Sequence, residues 1–419
     1  MKKKVIVIGG GFAGVQLVRK LDKRMFELLL LDRLNHHQFQ PLFYQVATSQ
    51  IEPSSISFPL RHVFNSARST QIRLTEVKQV IPSENKLVTT TGEFHYDYLV
   101  IATGCKTNFF NNESIEDKVF PLKTTYDAIA IRNHIITVFE KVLHANQQEK
   151  QHLLNLVIVG AGPTGVELAG AFAEIKNNVL PKDYPGIDFS QLTIYLIEGS
   201  KSTLSSMSKK ARKASGRYLA EMGVVIKTET FVTGYDGKLV LLSDGESIPS
   251  STVIWAAGVT GNKVEGFPDH CWIANNRIIV NRQNRTERFE NIFALGDIAY
   301  MVTPKYPKGH PQVANVAINQ ARLLAKNLKR MAANKPLQDY EYKDLGSMAT
   351  IGRNKAVVDL PFIRFKGYIA WLVWMFLHLM LILSVKNKLI IFINWAWSYL
   401  TKDSSLRLIL TPGKQAAGE

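Results

Sequence analysis

"KKVIVIGGGFAG", residues 3–14, decides the fold. Val5 to Ile8 form a short unbroken apolar run, as in a strand buried on both faces of a parallel sheet. Gly9, Gly11 and Gly14 follow in GxGxxG spacing, with Gly10 between them and Phe12 and Ala13 opening a helix expected over 12–24. Gly9 permits the tight turn, Gly11 lets a pyrophosphate approach the backbone, and Gly14 lets the helix pack on the sheet. The helix N-terminus then presents free N–H groups and a positive dipole end to phosphate. "FELLLLDR" (26–33) predicts the next strand, ending at Asp32, where a ribose hydroxyl would be bound.

The arrangement recurs. "NLVIVGAGPTGVELAG" (155–170) supplies Gly160, Gly162 and Gly165 after a strand over 156–159, with Pro163 and Thr164 at the head of the helix. "LTIYLIEG" (192–199) ends its strand at Glu198. That acid lies beyond the usual spacing of about 20 residues, and "NNVLPKDYPGIDFSQ" (177–191) accounts for the excess as a lengthened crossover. One GxGxxG is a common accident of glycine turns. Two, each with strand, helix and strand-end acid, predict two bound dinucleotides. A flavin and a nicotinamide are the expected pair, because a hydride donor is useful only beside an acceptor.

Further segments fit. "YDYLVIATG" (96–104) and "STVIWAAGV" (251–259) read as equivalent strands ending in small residues, Ala102, Thr103 and Gly104 in one and Ala257 and Gly258 in the other. "NIFALGDIAY" (291–300) offers a Gly–Asp pair, Gly296 and Asp297, suited to a flavin ribitol. In this order the segments resemble the two-dinucleotide flavoprotein disulfide reductase superfamily over about residues 1–345. The expected class is α/β, with two Rossmann-like dinucleotide-binding domains. The layout is nested: a flavin domain from 1–120 and 275–345, a nicotinamide domain inserted at 121–274, and a C-terminal membrane-docking region at 346–419.

Composition narrows the function. The 419 residues carry a net charge of +16, which favours an anionic membrane surface or an acidic ligand. Neither a Lys/Arg-rich recognition helix nor zinc-finger spacing appears, so nucleic acid and metal are not expected. "MKKKVIVIGGG" is too short in its apolar run for a signal peptide. Cys105 and Cys271 are the only cysteines, which excludes a disulfide framework and points to a reducing compartment. Neither CxxC nor CxxxxC occurs, so the flavin must pass its electrons to an external acceptor.

"LNHHQFQPLFYQVATSQIEPSSISFPLR" (34–61), "GAGPTGVELAGAFAE" (160–174), "GSMATIGRNKAVVD" (346–359) and "INWAWSYLTKDSSLRLIL" (393–410) make the resemblance specific. Together with the WAAGV and NIFALGD segments they are similar to type II NADH:quinone oxidoreductases over almost the whole chain. The resemblance implies FAD as cofactor, NADH as substrate and menaquinone or ubiquinone as acceptor. It also implies a homodimer, peripheral on the cytoplasmic face of the inner or plasma membrane. Glu167 matches the family's carboxylate close to the nicotinamide and flavin rings. Read without the family, it is an exposed first-turn acid favoured by the helix dipole. Asp32, Arg33, Thr48, Val77, Asp297, Ala314 and Asn315 match flavin-binding positions; Gln40, Pro41, Leu42 and Tyr44 match the loop lining the quinone. Departures fall around that pocket: "ANVAINQA" (314–321) places Asn315 and Asn319 where the family has glutamines, and Leu345 stands where it has lysine. A sulfide:quinone oxidoreductase and a membrane-attached NADH/FAD redox sensor remain as alternatives.

The tail completes the reading. "IAWLVWMFLHLMLILSV" (369–385) is about a turn short of the ~20 apolar residues that span a bilayer. In "LIIFINWAWSYLTK" (389–402) and the preceding turn, Asn387, Asn394, Ser398 and Thr401 fall near one helical face. That periodicity, with Trp395, Trp397 and Tyr399 alongside, predicts a helix lying in the headgroup layer. Lys386, Lys388, Lys402 and Arg407 are expected to meet anionic lipid.

Overall fold

The Lys3–Ile8 strand is the centre of a five-stranded parallel sheet in the computed structural model, which describes residues 2–64, 70–403 and 406–410. Met1 of the opening run and Ser404 and Ser405 of the tail lie outside the described residues. The chain divides into two units, one of residues 1–38, 58–106 and 259–343, the other of 39–57, 107–258 and 344–419.

In the first unit the strand order is Ile292–Ala294, Tyr98–Ile101, Lys3–Ile8, Phe26–Asp32, Thr70–Leu74. Ile8 pairs with Leu31 on one side and Ile101 on the other. Ile6, Ile8, Leu29, Leu31, Leu99 and Ile101 form part of one buried apolar cluster. The glycine helix covers Phe12–Lys20, shorter than expected, because Leu21 turns extended and buries its side chain.

The second unit repeats the plan with Phe120–Pro121, Thr252–Trp255, Asn155–Val159, Thr193–Ile197 and Val224–Lys227, again all parallel. The Thr252–Trp255 and Tyr98–Ile101 strands therefore hold equivalent places, each beside its glycine strand. The steric reasons for glycine also repeat. Gly9 has φ +104°, and a Cβ on Gly14 would stand 1.8 Å from the Gly9 carbonyl oxygen. Gly160 has φ +99°, and a Cβ on Gly165 would stand 1.8 Å from the Gly160 oxygen.

The cuts between units differ from those read in the sequence. Residues 39–57 pack with the second unit because Phe39, Leu42, Phe43, Tyr44 and Val46 are buried there. The tail belongs to the same unit. Its antiparallel sheet, Ser347–Gly352, Lys355–Asp359 and Arg364–Lys366, crosses the second glycine helix, Pro163–Asn178, at Gly170. A Cβ on Gly170 would meet the Ile351 carbonyl oxygen at 1.7 Å, so the crossing requires glycine.

Two helices follow, Tyr368–Leu381 and Val385–Thr401. No helix among the described residues is long and apolar enough to cross a membrane. Part of the second helix's polar stripe faces the protein. Asn387 donates to the carbonyls of Ser54 and Ser55, the Ser398 carbonyl accepts from Arg353, and Trp395 is buried. Apolar side chains point outward instead: Leu389, Phe392, Ile393, Trp397 and Leu400 are all more than half exposed. Arg407 is also taken, paired with Asp183 and Asp403.

Candidate active site

In the first unit a cleft of about 220 Å³ gathers Gly9, Asp32, Arg33, Val77 and Thr103. Glu76, Asn262 and Lys263 also line it and were not singled out by the sequence. Asp32 is fixed by backbone: Gly10 N donates to Oδ2 at 2.5 Å and Leu34 N to Oδ1 at 2.7 Å. Burial raises its pKa against those two N–H groups. Each oxygen keeps a further lone pair for a hydroxyl. A Cβ on Gly11 would meet nothing within 4 Å, and the helix that follows has neither a first-turn acid nor a side-chain cap. Open space beside uncapped N–H groups fits a dinucleotide phosphate.

At the far end of the sheet, Gly296 has φ +71° and its N–H donates to Gln320 Oε1 at 2.8 Å. Asp297 accepts from the Cys105 thiol at 2.8 Å. Cys271 lies in the buried apolar cluster, and neither cysteine is in a disulfide. Ala314 and Asn315 open the Ala314–Ala332 helix, where Asn319 Nδ2 donates to Asn315 Oδ1 at 2.8 Å. The two asparagines are thus engaged with each other.

The second glycine site matches the first. Ala161 N donates to Glu198 Oε2 at 2.6 Å and Ser200 N to Oε1 at 2.8 Å. Gly162 faces open space, and the helix beginning Pro163–Thr164 again lacks a first-turn acid and a side-chain cap. Gly258, after Ala257, has φ +77°.

Glu167 is the fifth residue of that helix, and it is buried. This corrects the exposed first-turn reading. Glu167, Gly170, Ala171 and Glu174 follow helical spacing on the face crossed by the tail sheet. The Thr350 N–H donates to Glu167 Oε1 at 3.3 Å, and the Arg353 N–H donates to Glu174 Oε1. Burial pushes the Glu167 carboxyl up to about 8, with the Thr350 N–H and then the Trp374 indole opposing it.

Around Glu167 lies a cavity of about 70 Å³, lined also by Tyr44, Gln45, Glu174, Trp371, Trp374 and Trp395. Trp395 Nε1 donates to Gln45 Oε1 at 2.8 Å, and Gln45 Nε2 donates to the Tyr44 hydroxyl at 2.9 Å. Burial, then the Glu167 charge, raises the Tyr44 phenol well above its ordinary pKa. Both groups therefore hold their protons near neutral pH. Thr48 is buried one turn on, donating to the Tyr44 carbonyl at 2.7 Å.

The remaining loop residues stand elsewhere. Gln40 accepts from Lys123 Nζ at 3.3 Å, Leu42 is fully buried, and Pro41 lies between them in a short 3₁₀ turn. Leu345 is 55% exposed. None of these, nor Asn315 or Asn319, lines the Glu167 cavity. Trp395 was read as a membrane-interface residue, and only contacts between distant segments reveal that it lines the Glu167 cavity together with Trp371 and Trp374.

Fold and paired glycine sites together define a pyridine nucleotide-disulphide oxidoreductase, and the model of that family matches residues 3–321. A second model, described as the NDH2 C-terminal domain, matches residues 345–402. The chain is 31% identical over 422 residues to a type II NADH:quinone oxidoreductase of Mycobacterium tuberculosis, covering 96% of this chain and 89% of that one. This chain belongs to the type II NADH:quinone oxidoreductase family. Its fold is similar to NDH2 of Plasmodium falciparum solved with NADH: TM-score 0.88, 20% identity, and coverage of 98% of this chain and 100% of that one. The sulfide:quinone oxidoreductase of Aquifex aeolicus is similar at TM-score 0.72 and 22% identity, with 99% and 98% covered.

Proposed function

We propose that this protein is a peripheral membrane flavoenzyme that moves electrons from NADH through FAD to a membrane quinone without pumping protons. Family membership supports the NADH and quinone chemistry. The observation that carries the quinone half is the Glu167 cavity, with two proton-holding groups beneath helices whose outer face is apolar.

FAD, when bound, supplies hydride acceptance from NADH and electron release to quinone. The chain supplies binding and protons. Gly9, Gly10, Gly11, Phe12, Ala13 and Gly14 hold its diphosphate, Asp32 and Arg33 the adenosine end, and Val77 the rim. Ala102, Thr103, Gly104, Gly296, Asp297, Ala314 and Asn315 take the remainder, with Thr48 on the quinone-side loop. Gly160, Gly162, Pro163, Thr164, Gly165 and Glu198 hold NADH, and Ala257 and Gly258 let it lie close to the strand end. Quinone reduction consumes two electrons and two protons. NADH brings both electrons and one proton as hydride, and water supplies the second proton through Glu167 or Tyr44. A quinone ring exceeds the present 70 Å³, so its entry moves a lining side chain such as the half-buried Trp371. Gln40, Pro41 and Leu42 shape the loop behind Tyr44, while Asn315, Asn319 and Leu345 carry a quinone role by family resemblance alone.

The sulfide alternative loses ground on chemistry. It needs a dithiol, whereas Cys105 is bound to Asp297 and Cys271 lies within an apolar core. The expected setting is the cytoplasmic face of an anionic membrane, with a second copy of the chain as partner.

NADH is expected to exceed NADPH in kcat/KM by about 100-fold, because the Glu198 carboxylate, fixed by two backbone N–H groups, repels a 2′-phosphate. Glu198→Gln should shrink that ratio at least tenfold in steady-state assays. Equal use of the two nucleotides by the unaltered enzyme would remove Glu198 from this role.

A further inference from the structure

Arg132 lies on the Thr125–Val142 helix and is only 1% exposed, yet its Nε and Nη2 atoms have no hydrogen-bond partner. Glu52 acts on it through charge without a hydrogen bond. A guanidinium does not escape burial by losing its proton. A buried cation with two unbonded donors is therefore a standing cost to the fold.

The same residue lines a cavity of about 520 Å³ in the second unit, far larger than the one around Glu167. That volume falls in the roughly 300–1,000 Å³ range of small-molecule sites. Along the helix, Ile135, Ile136 and Phe139 continue one wall from Arg132 towards Glu140, and Phe172, Ile175 and Leu180 face the same space. At about 1.5 Å per residue, Arg132 and Glu140 stand about 12 Å apart along the axis. The acids at the far end are engaged: Glu140 accepts from the Tyr184 hydroxyl at 2.8 Å, and Asp183 pairs with Arg407. The cavity thus has a cation with two unbonded donors at one end and an apolar run leading away from it.

We propose that this cavity binds a single-chain amphiphile with an anionic head, a carboxylate or a phosphate monoester, seated on Arg132. The chain lies along Ile135, Ile136 and Phe139. An extended chain advances about 1.2 Å per bond, so roughly ten carbons cover the distance. Nε and Nη2 are closed off while the cavity is empty, so seating the head turns the guanidinium toward it, where the two donors make charge-assisted hydrogen bonds.

The test uses the full-length, FAD-loaded protein titrated with decanoate or decyl phosphate below their micelle concentrations, read by calorimetry and thermal unfolding. At least one of the two should bind and raise Tm, and which one responds identifies the head. Decanol and acetate should each bind at least about tenfold more weakly, since each lacks half of the recognition. Arg132→Met should weaken binding at least about tenfold, retain NADH oxidation, and unfold no earlier than the unaltered protein when no anion is present. Ile136→Trp narrows the apolar wall and should weaken decanoate while sparing the charge. Decanol binding as tightly as both anions, or undiminished anion binding by folded Arg132→Met, would overturn the proposal.

Discussion

Glu167→Gln is expected to cut quinone-dependent NADH oxidation about 100-fold while FAD stays bound and thermal stability at pH 9 increases. The activity loss is the low end of what a positioned proton donor contributes. The stability gain follows from burial. The carboxyl's pKa moves from an ordinary 4.5 to about 8 in the folded protein. Between those values the folded state holds a proton that the unfolded chain has released, so stability falls as pH rises across the window. Above about pH 8 the site carries the whole cost of a buried carboxylate, on the order of several kcal/mol. Glutamine keeps the shape and never charges. Thermal unfolding of both proteins from pH 5 to 9 should therefore diverge with pH, the variant becoming the more stable. Parallel curves and retained turnover would reduce Glu167 to a packing residue.

Exchanging Phe392, Trp397 and Leu400 for glutamate is expected to release the protein from anionic vesicles without changing its turnover with a soluble short-chain quinone. These side chains are 54%, 59% and 79% exposed on the outer face of the last helix. Removing each from lipid forfeits about 1.5–3 kcal/mol, so the three together should weaken partitioning by at least about 100-fold. Lys386 and Lys402 are exposed nearby and add electrostatic attraction. High salt should therefore loosen attachment, though the apolar face retains part of it. Co-sedimentation with phosphatidylglycerol vesicles measures both effects. Undiminished binding by the triple variant would place the docking face elsewhere. Substitution is a cleaner test than removing the tail, because a truncation near residue 360 would also delete Trp374 and Trp395 from the Glu167 cavity.

The glycine sites were legible because their constraints are local. A turn at Gly9, a helix seated against its carbonyl at Gly14 and an acid at the next strand end all fall within one supersecondary unit. The Glu167 cavity was less so. Its walls come from residues 44–50, 167–174, 350–353 and 371–399, and no single periodicity joins them. Glu167 and Glu174 on one helical face with Gly170 were a signal that could have pointed to it, since two acids beside a close-crossing glycine need partners from another segment. In the last helix the polar stripe was legible, but what it faces was not. A polar stripe on a helix ordinarily faces water, yet here Asn387 and the Ser398 carbonyl bond to the protein, and Trp395 bonds to Gln45. An apolar outer face is what lipid, rather than water, would select.

Steady-state oxidation of NADH by the FAD-loaded protein, with and without a soluble quinone analogue, tests the central claim most directly. The account predicts slow oxidation alone and turnover at least 100-fold faster with quinone, with one quinol formed per NADH consumed. NADH binding and flavin reduction without any quinone-dependent acceleration would contradict it.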